Sequence, residues 1–217
     1  MGVVTALTRG KTRKNRVNVF LDEEFAFSLD ELAASTLHLG QTLGEEEIEE
    51  LLRRDGVQRA QERALSLLEH RPRSRAELRQ RLRRAGAEDE AIEEALQRLE
   101  RVDLVDDEAF ARFWVEQRLA FRPRSKRALA FELRRQGVSK EVLDGVLSGV
   151  DDVQVAAGLV QRQLDRLANL EPRQRYEALA NLLRNRGFDY HTIKDVLSHL
   201  RIGEGDLEVA DTHPEDE

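Results

Sequence analysis

Arg71–Gly86 reads Arg-Pro-Arg-Ser-Arg-Ala-Glu-Leu-Arg-Gln-Arg-Leu-Arg-Arg-Ala-Gly. Pro72 stops whatever precedes it, because a proline cannot continue a helix. Ser74 and Glu77 stand at the S-x-x-E spacing of a capping box, so a helix is expected to open at Ser74. Leu78 and Leu82 are four apart and share one face, and Gly86 suits a left-handed C-cap. Between Arg71 and Arg84 lie Arg71, Arg73, Arg75, Arg79, Arg81, Arg83 and Arg84, against the single acid Glu77. The stretch is a short capped helix with a thin apolar stripe and arginine on both flanks.

It recurs. Arg122–Gly137 keeps Ser125, Leu129, Leu133 and Gly137 at the mutual offsets of Ser74, Leu78, Leu82 and Gly86. A third copy, Arg175–Gly187, keeps Leu179, Leu183 and Gly187 but has Arg175 at the serine position. Six residues past each glycine stands an aliphatic side chain (Ile92, Leu143, Ile193), and four further on a leucine (Leu96, Leu147, Leu197). The glycines are 51 and 50 residues apart, and a period near fifty marks repetition of one supersecondary unit. Each unit is expected to hold three helices, at about 58–70, 74–85 and 88–101, then 107–120, 125–136 and 139–148, then 152–168, 173–186 and 189–200. Asp106 and Ser139 are candidate N-caps. Three helices this short cannot bury their apolar faces alone, so neighbours must stack or close small cores with the turns between them.

The net charge of −7 hides this pattern. Glu204, Asp206, Glu208, Asp211, Glu215, Asp216 and Glu217 account for all of it, with no Lys or Arg among residues 204–217. The second helices of the three repeats sum to +6, +5 and +3, while Glu88–Glu94 alone holds five acids. Local fields therefore decide what the chain attracts. The acidic tail has no periodicity and is expected to be disordered. No apolar run approaches the ~20 residues of a membrane span, and zero cysteines exclude disulfides and thiolate metal sites.

Before the repeats, residues 3–8 and 16–21 read as strands and Phe25-Ala26-Phe27 as a short third. The link Arg9–Asn15 carries Arg9, Lys11, Arg13 and Lys14 and is either a solvated hairpin loop or a basic finger. Ser28 with Glu31 and Thr42 with Glu45 resemble capping boxes, the first opening a helix to about His38. The second opens a helix through Ile48, Leu51 and Leu52 that is expected to break at Gly56. In the second repeat, Phe110, Phe113, Trp114 and Gln117 follow the i, i+3, i+4, i+7 spacing of a core stripe. Phe131 lies about 200° round its helix from the buried Leu129. It either packs on a neighbouring repeat or lies exposed among Lys126, Arg127, Arg134 and Arg135.

No P-loop, G-x-G-x-x-G, H-E-x-x-H or G-x-S-x-G is present, and the five histidines are scattered. No catalytic, metal-binding or cofactor-binding residue is expected, and no cofactor. What remains is arginine concentrated in the same helix of each repeat. On isolated helices such charge is usually a solvated face with i, i+4 Glu–Arg pairs. Repetition here aligns it into a stripe suited to a polyanion or an acidic protein surface. On the helical wheel Arg79, Arg83, Arg127 and Arg134 fall about 100–160° from the buried leucines, with Arg84 and Arg135 at about 240°. The residues expected to meet such a partner are Arg73, Arg75, Arg79, Arg83 and Arg84, with Arg124, Lys126, Arg127, Arg134 and Arg135.

Ala64, Leu65, Leu67, Leu68, Arg71, Arg73, Ser74, Glu77, Leu78, Leu82 and Gly86 together form a pattern that resembles the RecX family. So do Asp106-Asp107-Glu108-Ala109-Phe110-Ala111, Arg124-Ser125-Lys126 and Leu133-x-x-x-Gly137, and, near the N-terminus, Asn15–Asp22 followed by Phe25-Ala26. The likeness covers about residues 3–200 and departs at Arg175 and in the acidic tail. It implies a cytoplasmic, non-enzymatic, monomeric regulator of the RecA recombinase, acting in homologous recombination, DNA repair and the SOS response. Such a regulator binds the RecA–DNA filament, lies in its groove and limits strand exchange and the coupled ATPase. Family members also bind single- and double-stranded DNA. Two other readings remain: a multi-helix DNA-binding protein of helix-turn-helix type, and an α-solenoid adaptor, for which no exposed apolar stripe is found.

The expected architecture is mainly α: three tandem three-helix repeats in a curved, elongated solenoid, preceded by a small β-hairpin or three-strand element and helices. The expected divisions are 1–57, 58–104, 105–150, 151–202 and a tail at 203–217.

Overall fold

The computed structural model describes residues 1–10 and 15–199. Lys11, Arg13 and Lys14 of the basic link and the acidic tail from 203 onward lie outside the described residues. The chain forms two compact units, divided after Asp107, and is mostly helical with a small N-terminal sheet.

Strands β1 (Gly2–Arg9), β2 (Arg16–Leu21), β3 (Glu24–Asp30) and β4 (Thr42–Leu43) form an antiparallel sheet in the order β3-β2-β1-β4. The β2–β3 turn places Asp22 and Glu23 at φ of 49° and 70°, the mirror-image conformation that matches strand twist. Val3 N donates to Asp22 Oδ1 at 3.0 Å, and Glu23 N donates to Thr5 Oγ1 at 2.9 Å. The expected helix from Ser28 begins late: residues 28–30 belong to β3 and only Glu31–Ala34 are helical. Ser28 is paired with Asn18 in the β2–β3 ladder, where its hydroxyl donates to Asn18 Oδ1 at 2.6 Å, and its extended backbone places it two residues before the N-cap position. Asp30 caps in its place, accepting from Leu32 N at 3.0 Å, and α1 (Glu31–Ala34) lasts one turn.

The longest helix, α2 (Glu45–Leu68), runs unbroken through Gly56 and so spans the division expected at 57/58. Glycine costs a helix about 1 kcal/mol. Here the flanking Asp55 and Val57 are buried and Gly56 itself packs beside Ala91, so tertiary contacts outweigh that cost. The helix serves two cores. Ile48 and Leu51 pack on the sheet residues Val4, Val19, Phe27 and Leu29, while Val57, Ala60 and Ala64 join Leu78, Leu82, Ile92 and Leu96.

The first repeat continues with α3 (Arg75–Arg84) and α4 (Asp89–Glu100). The second holds α5 (Asp107–Phe121), α6 (Lys126–Arg135) and α7 (Lys140–Val146). The third holds α8 (Asp152–Leu164), a 3-10 turn at Asp165–Leu167 where the sequence suggests continued α-helix, α9 (Pro172–Asn185) and α10 (Tyr190–His199). Ser74, Ser125 and Ser139 cap as expected, accepting from Glu77 N, Ala128 N and Val142 N.

The five recurring positions are structural in all three copies. Leu78, Leu129 and Leu179, and Leu82, Leu133 and Leu183, are all fully buried. Ile92, Leu143, Ile193 and the leucines four residues on are buried with them. Gly86, Gly137 and Gly187 adopt φ of 82°, 82° and 89°. In each, the residue after the glycine donates its N–H to the carbonyl of the second leucine (Ala87 to Leu82, Val138 to Leu133, Phe188 to Leu183). This is the six-to-one bond of a Schellman cap. It turns the chain sharply enough for the third helix to pack its aliphatic pair against the leucines of the second. The stripe beginning at Phe110 is core, but its face turns toward Ala111 and Val115. Gln117 is exposed.

Within the second unit the joint between repeats two and three has a defined lock. Ser125 N donates to Arg186 O at 3.1 Å and Ser125 Oγ to Gly187 O at 2.7 Å. Arg186 returns a bond to Pro123 O at 3.3 Å. The fit leaves no room at the glycine: a Cβ on Gly187 would lie 2.9 Å from Ala128 Cβ and 3.0 Å from Ser125 Oγ. Serine therefore caps its own helix and grips the next repeat. The last repeat substitutes Arg175, and its α9 starts earlier, with Pro172 in the first turn and Glu171 as N-cap. Arg175 lies inside the helix and donates to Leu167 O, Ala168 O and Leu170 O at 3.1, 2.8 and 3.0 Å, tying down the end of the preceding segment.

Gly86 has the same φ but no atom within 4 Å of its virtual Cβ. Gly86→Ala should cost about 1–2 kcal/mol, the left-handed penalty alone. Gly187→Ala should cost clearly more, because it also separates Ser125 and Ala128 from the turn. Equal losses in a denaturant titration would show that the joint is slack.

Candidate functional site

Formal charge ranks α3 above α6, but ion pairing reverses the ranking. In the first repeat three guanidiniums converge on one carboxylate. Arg71 Nη2 and Arg81 Nε lie 2.7 and 2.9 Å from Glu77 Oε1, and Arg73 Nη1 also donates to it. Arg73 is 9% exposed and also donates to Leu67 O at 3.0 Å, so it is an internal strut. Burial works to raise the Glu77 carboxyl, but hydrogen bonds from Arg81 and Arg71 outweigh it and hold the group below the ordinary glutamate range. All three bonds fall on Oε1; Oε2 is buried with no hydrogen bond among the described residues.

The remaining α3 cations are met by α4. Arg75 reaches Glu93 at 2.8 Å and Glu100 at 2.5 Å, Arg79 reaches Glu93 at 2.5 Å, and Arg83 reaches Asp89 at 2.7 Å. The bond from Arg79 is the main reason that the Glu93 carboxyl is held down. Arg84 alone of the five residues singled out in this repeat is exposed without an ion pair among the described residues.

The second repeat is different: its third helix keeps Glu141 and Asp144, in register with Glu90 and Glu93, but neither makes an ion pair with α6 among the described residues. In repeat register, Asp89 is replaced by Lys140 and Glu94 by Gly145. Arg124 is drawn to Glu132 at 3.1 Å, which also accepts from Trp114 Nε1 at 2.9 Å and Arg118 Nε at 2.7 Å. The Arg118 guanidinium sits 4.6 Å from the Trp114 ring centroid. Lys126, Arg127, Arg134 and Arg135 point to solvent with no ion pair among the described residues. Phe131 lies among them, 61% exposed, and the Arg135 guanidinium is 6.0 Å from its ring centroid. Of the two readings open for Phe131, exposure is the one observed.

In the third repeat, Arg173 pairs with Glu177 at 3.2 Å and Arg184 with Asn181 Oδ1 at 2.8 Å, while Arg175 and Arg186 serve backbone carbonyls. Among the described residues, α6 is thus the basic helix whose charge is left most strongly uncompensated. Among the same residues no helix is long and apolar enough to cross a membrane, and no group of three or more His, Cys, Asp or Glu could hold a metal ion.

Some buried acids were not apparent from pattern. Asp55, in mid-α2, is 3% exposed and accepts Arg16 Nη1 at 2.6 and 2.8 Å and Asp30 N at 2.7 Å, pinning the sheet to the helix. A lone acid on a helix side gives no such signal. Asp107 accepts from Arg75 N at 2.8 Å and Asp152 from Lys126 N at 2.6 Å. Burial pushes both carboxyls up. That recurrence carries a readable signal, since each acid stands at the start of the following repeat.

Three segments of the chain match domains of one family: residues 2–41 the N-terminal domain of regulatory protein RecX, 60–99 the first three-helix domain of RecX, and 106–147 the second. Regulatory protein RecX of Bacillus licheniformis is 31% identical over 202 residues, covering 91% of this chain and 77% of that protein. Regulatory protein RecX of Clostridium botulinum is 29% identical over 205 residues, covering 91% and 95%. A crystal structure of regulatory protein RecX superposes with a TM-score of 0.66 at 23% identity, covering 91% of this chain and all of that one, a likeness of fold.

The Glu77 cluster generates a pH prediction. Its carboxyl is depressed in the fold, so the stability it supplies is present above the unfolded glutamate value of about 4.3 and is lost as pH falls through the lower folded value. Glu77→Gln should destabilise by about 3 kcal/mol at neutral pH, because it leaves a buried guanidinium unpaired. The deficit relative to the parent should shrink below pH ~4.3. Denaturant titrations of both proteins from pH 7 downward check this; a deficit constant with pH would remove Glu77 as the ionised hub.

Proposed function

The chain belongs to the RecX family, and from that premise we propose that it regulates the RecA recombinase by binding the RecA–DNA filament, limiting strand exchange and the coupled ATPase. The observation that carries the reading is the outer face of α6, where Lys126, Arg127, Arg134 and Arg135 are exposed and uncompensated among the described residues. Exposed cations without partners are held in the free protein only by water and counterions. A polyanionic surface that displaces those counterions gains binding free energy, and the gain falls as salt rises. Arg84, in the first repeat, is likewise exposed without an ion pair among the described residues. Arg73, Arg75, Arg79, Arg83 and Arg124 take part mainly by holding their helices in place, since each already has a carboxylate partner. The helix-turn-helix alternative draws on the same exposed cations, since arginine and lysine also read guanine edges; duplex affinity equal to affinity for the RecA–single-stranded DNA filament would favour it.

Replacing Arg127, Arg134 and Arg135 by Ala should leave folding nearly unchanged, as exposed charges contribute about 0–1 kcal/mol. It should abolish most inhibition of the RecA ATPase on single-stranded DNA. The log–log salt slope of filament binding should fall by ~0.7 for each phosphate that is no longer neutralised. Arg79→Ala with Arg83→Ala should weaken binding far less. If the α6 variant inhibits like the parent at every salt concentration, α6 is not the filament contact.

A further inference from the structure

Phe131 is not required by the fold. Its counterparts in repeat register are Gln80 on α3 and Asn181 on α9, both polar and both exposed on helices with the same buried leucine pair. Phe121 and Tyr190 are also exposed, but at helix ends, whereas an aromatic side chain 61% exposed at this mid-helix register position occurs only in the middle of the three repeats and needs another explanation. Its surroundings narrow the choice. Taking Leu129 as zero on the wheel, Arg134 and Arg127 lie at ~140° and ~160°, Phe131 at ~200° and Arg135 at ~240°. The ring is thus bracketed by cations on both sides. Along the axis it stands between Arg127 and Arg134, which are about 10 Å apart at about 1.5 Å per residue.

An apolar protein contact would be expected to gather further aliphatic side chains around the ring, and the outer face of α6 has none. The partner must instead bring a π-face and negative charge on either side of it within a few ångströms. A single-stranded nucleic acid does so, because an unstacked base lies between successive phosphates. A duplex does not, because its bases are stacked and paired.

We propose that α6 is a single-strand contact in which Phe131 stacks on an exposed base while Arg127, Arg134 and Arg135 neutralise the flanking phosphates. This rests on the filament-binding reading and deepens it, placing the strand rather than the protein of the filament against α6. Stacking and phosphate pairing differ in their salt dependence, so the two roles separate experimentally. Phe131→Gln installs the residue that α3 tolerates at this position and should preserve the fold.

The test measures binding of labelled oligothymidylate, and of a duplex of equal length, by anisotropy across a salt series. Phe131→Gln should weaken single-strand binding by about 5- to 100-fold with an unchanged salt slope, and change duplex binding little. Phe131→Trp should restore single-strand affinity and Phe131→Leu should not, since only an aromatic ring offers a stacking face. Parental single-strand affinity in the Gln or Leu variant overturns the inference. So does absence of single-strand binding by the parent. RecA ATPase inhibition, run in parallel, separates the two levels. If Phe131→Gln loses inhibition but keeps single-strand affinity, Phe131 meets protein: the inference falls and the filament reading stands. If the parent fails to inhibit RecA while the Phe131 variants behave as expected on oligothymidylate, the filament reading falls and the single-strand contact stands.

Discussion

Everything in the repeats depends on one backbone constraint, the left-handed turn that ends each second helix. A helix as short as α3 or α6, ten residues with two buried leucines, has too little apolar surface to stand alone. It becomes part of a core only if the chain reverses at once and returns an aliphatic pair against the same two leucines. Gly86, Gly137 and Gly187 make that reversal at φ of 82° to 89°, a region where side chains with a Cβ are strained. At Gly187 the constraint extends outward: the missing Cβ is also the space into which Ser125 and Ala128 fit. One residue type thus closes a repeat and opens a place for its neighbour.

The same economy governs charge. A carboxylate beside a guanidinium satisfies it and removes it from the pool available to a partner. In the first repeat α4 supplies Glu93, Asp89 and Glu100, and Glu77 gathers three more arginines, so a helix that looks intensely basic is largely neutralised from within. In the second repeat the shorter α7 places Lys140 where Asp89 would be, its Glu141 and Asp144 make no ion pair among the described residues, and α6 keeps its field. Similar sequence charge, +6 against +5, therefore leads to different surfaces. The repeats differ accordingly: the first is braced by internal ion pairs, the second leaves cations exposed on α6, and in the third Arg175 is turned to backbone carbonyls.

That division bears on how a regulator of this family can act. A nucleoprotein filament presents a repeating polyanionic surface. On the filament-binding reading proposed above, a localised patch suits such a target better than uniform positive charge, which would bind nucleic acid indiscriminately. Acids in the same repeats as the arginines restrain such non-specific attraction. The carboxylates of α4 then serve twice, bracing the helix and screening its field.

How much can be read from the chain alone depends on whether the signal is periodic. The leucine pairs, the capping serines and the glycine turns recur at fixed spacing, and recurrence reports burial and backbone conformation directly, so the three-helix units and their cores are legible in the sequence. The first two strands are legible from alternation. Tertiary structure decided what has no period. Gly56 continues a helix because Asp55, Val57 and Ala91 bury its surroundings, and Ser28 is strand because Asn18 stands across from it to accept its hydroxyl. The i, i+4 pair Glu77–Arg81 is legible, but partners between helices are hidden, because such a pair depends on a gap of a few ångströms between residues well separated in sequence, as Arg79 and Glu93 are. Sequence determined where the charge is; only the packing of α4 on α3, and the failure of Glu141 and Asp144 of α7 to pair with α6 among the described residues, decided which of it remains free.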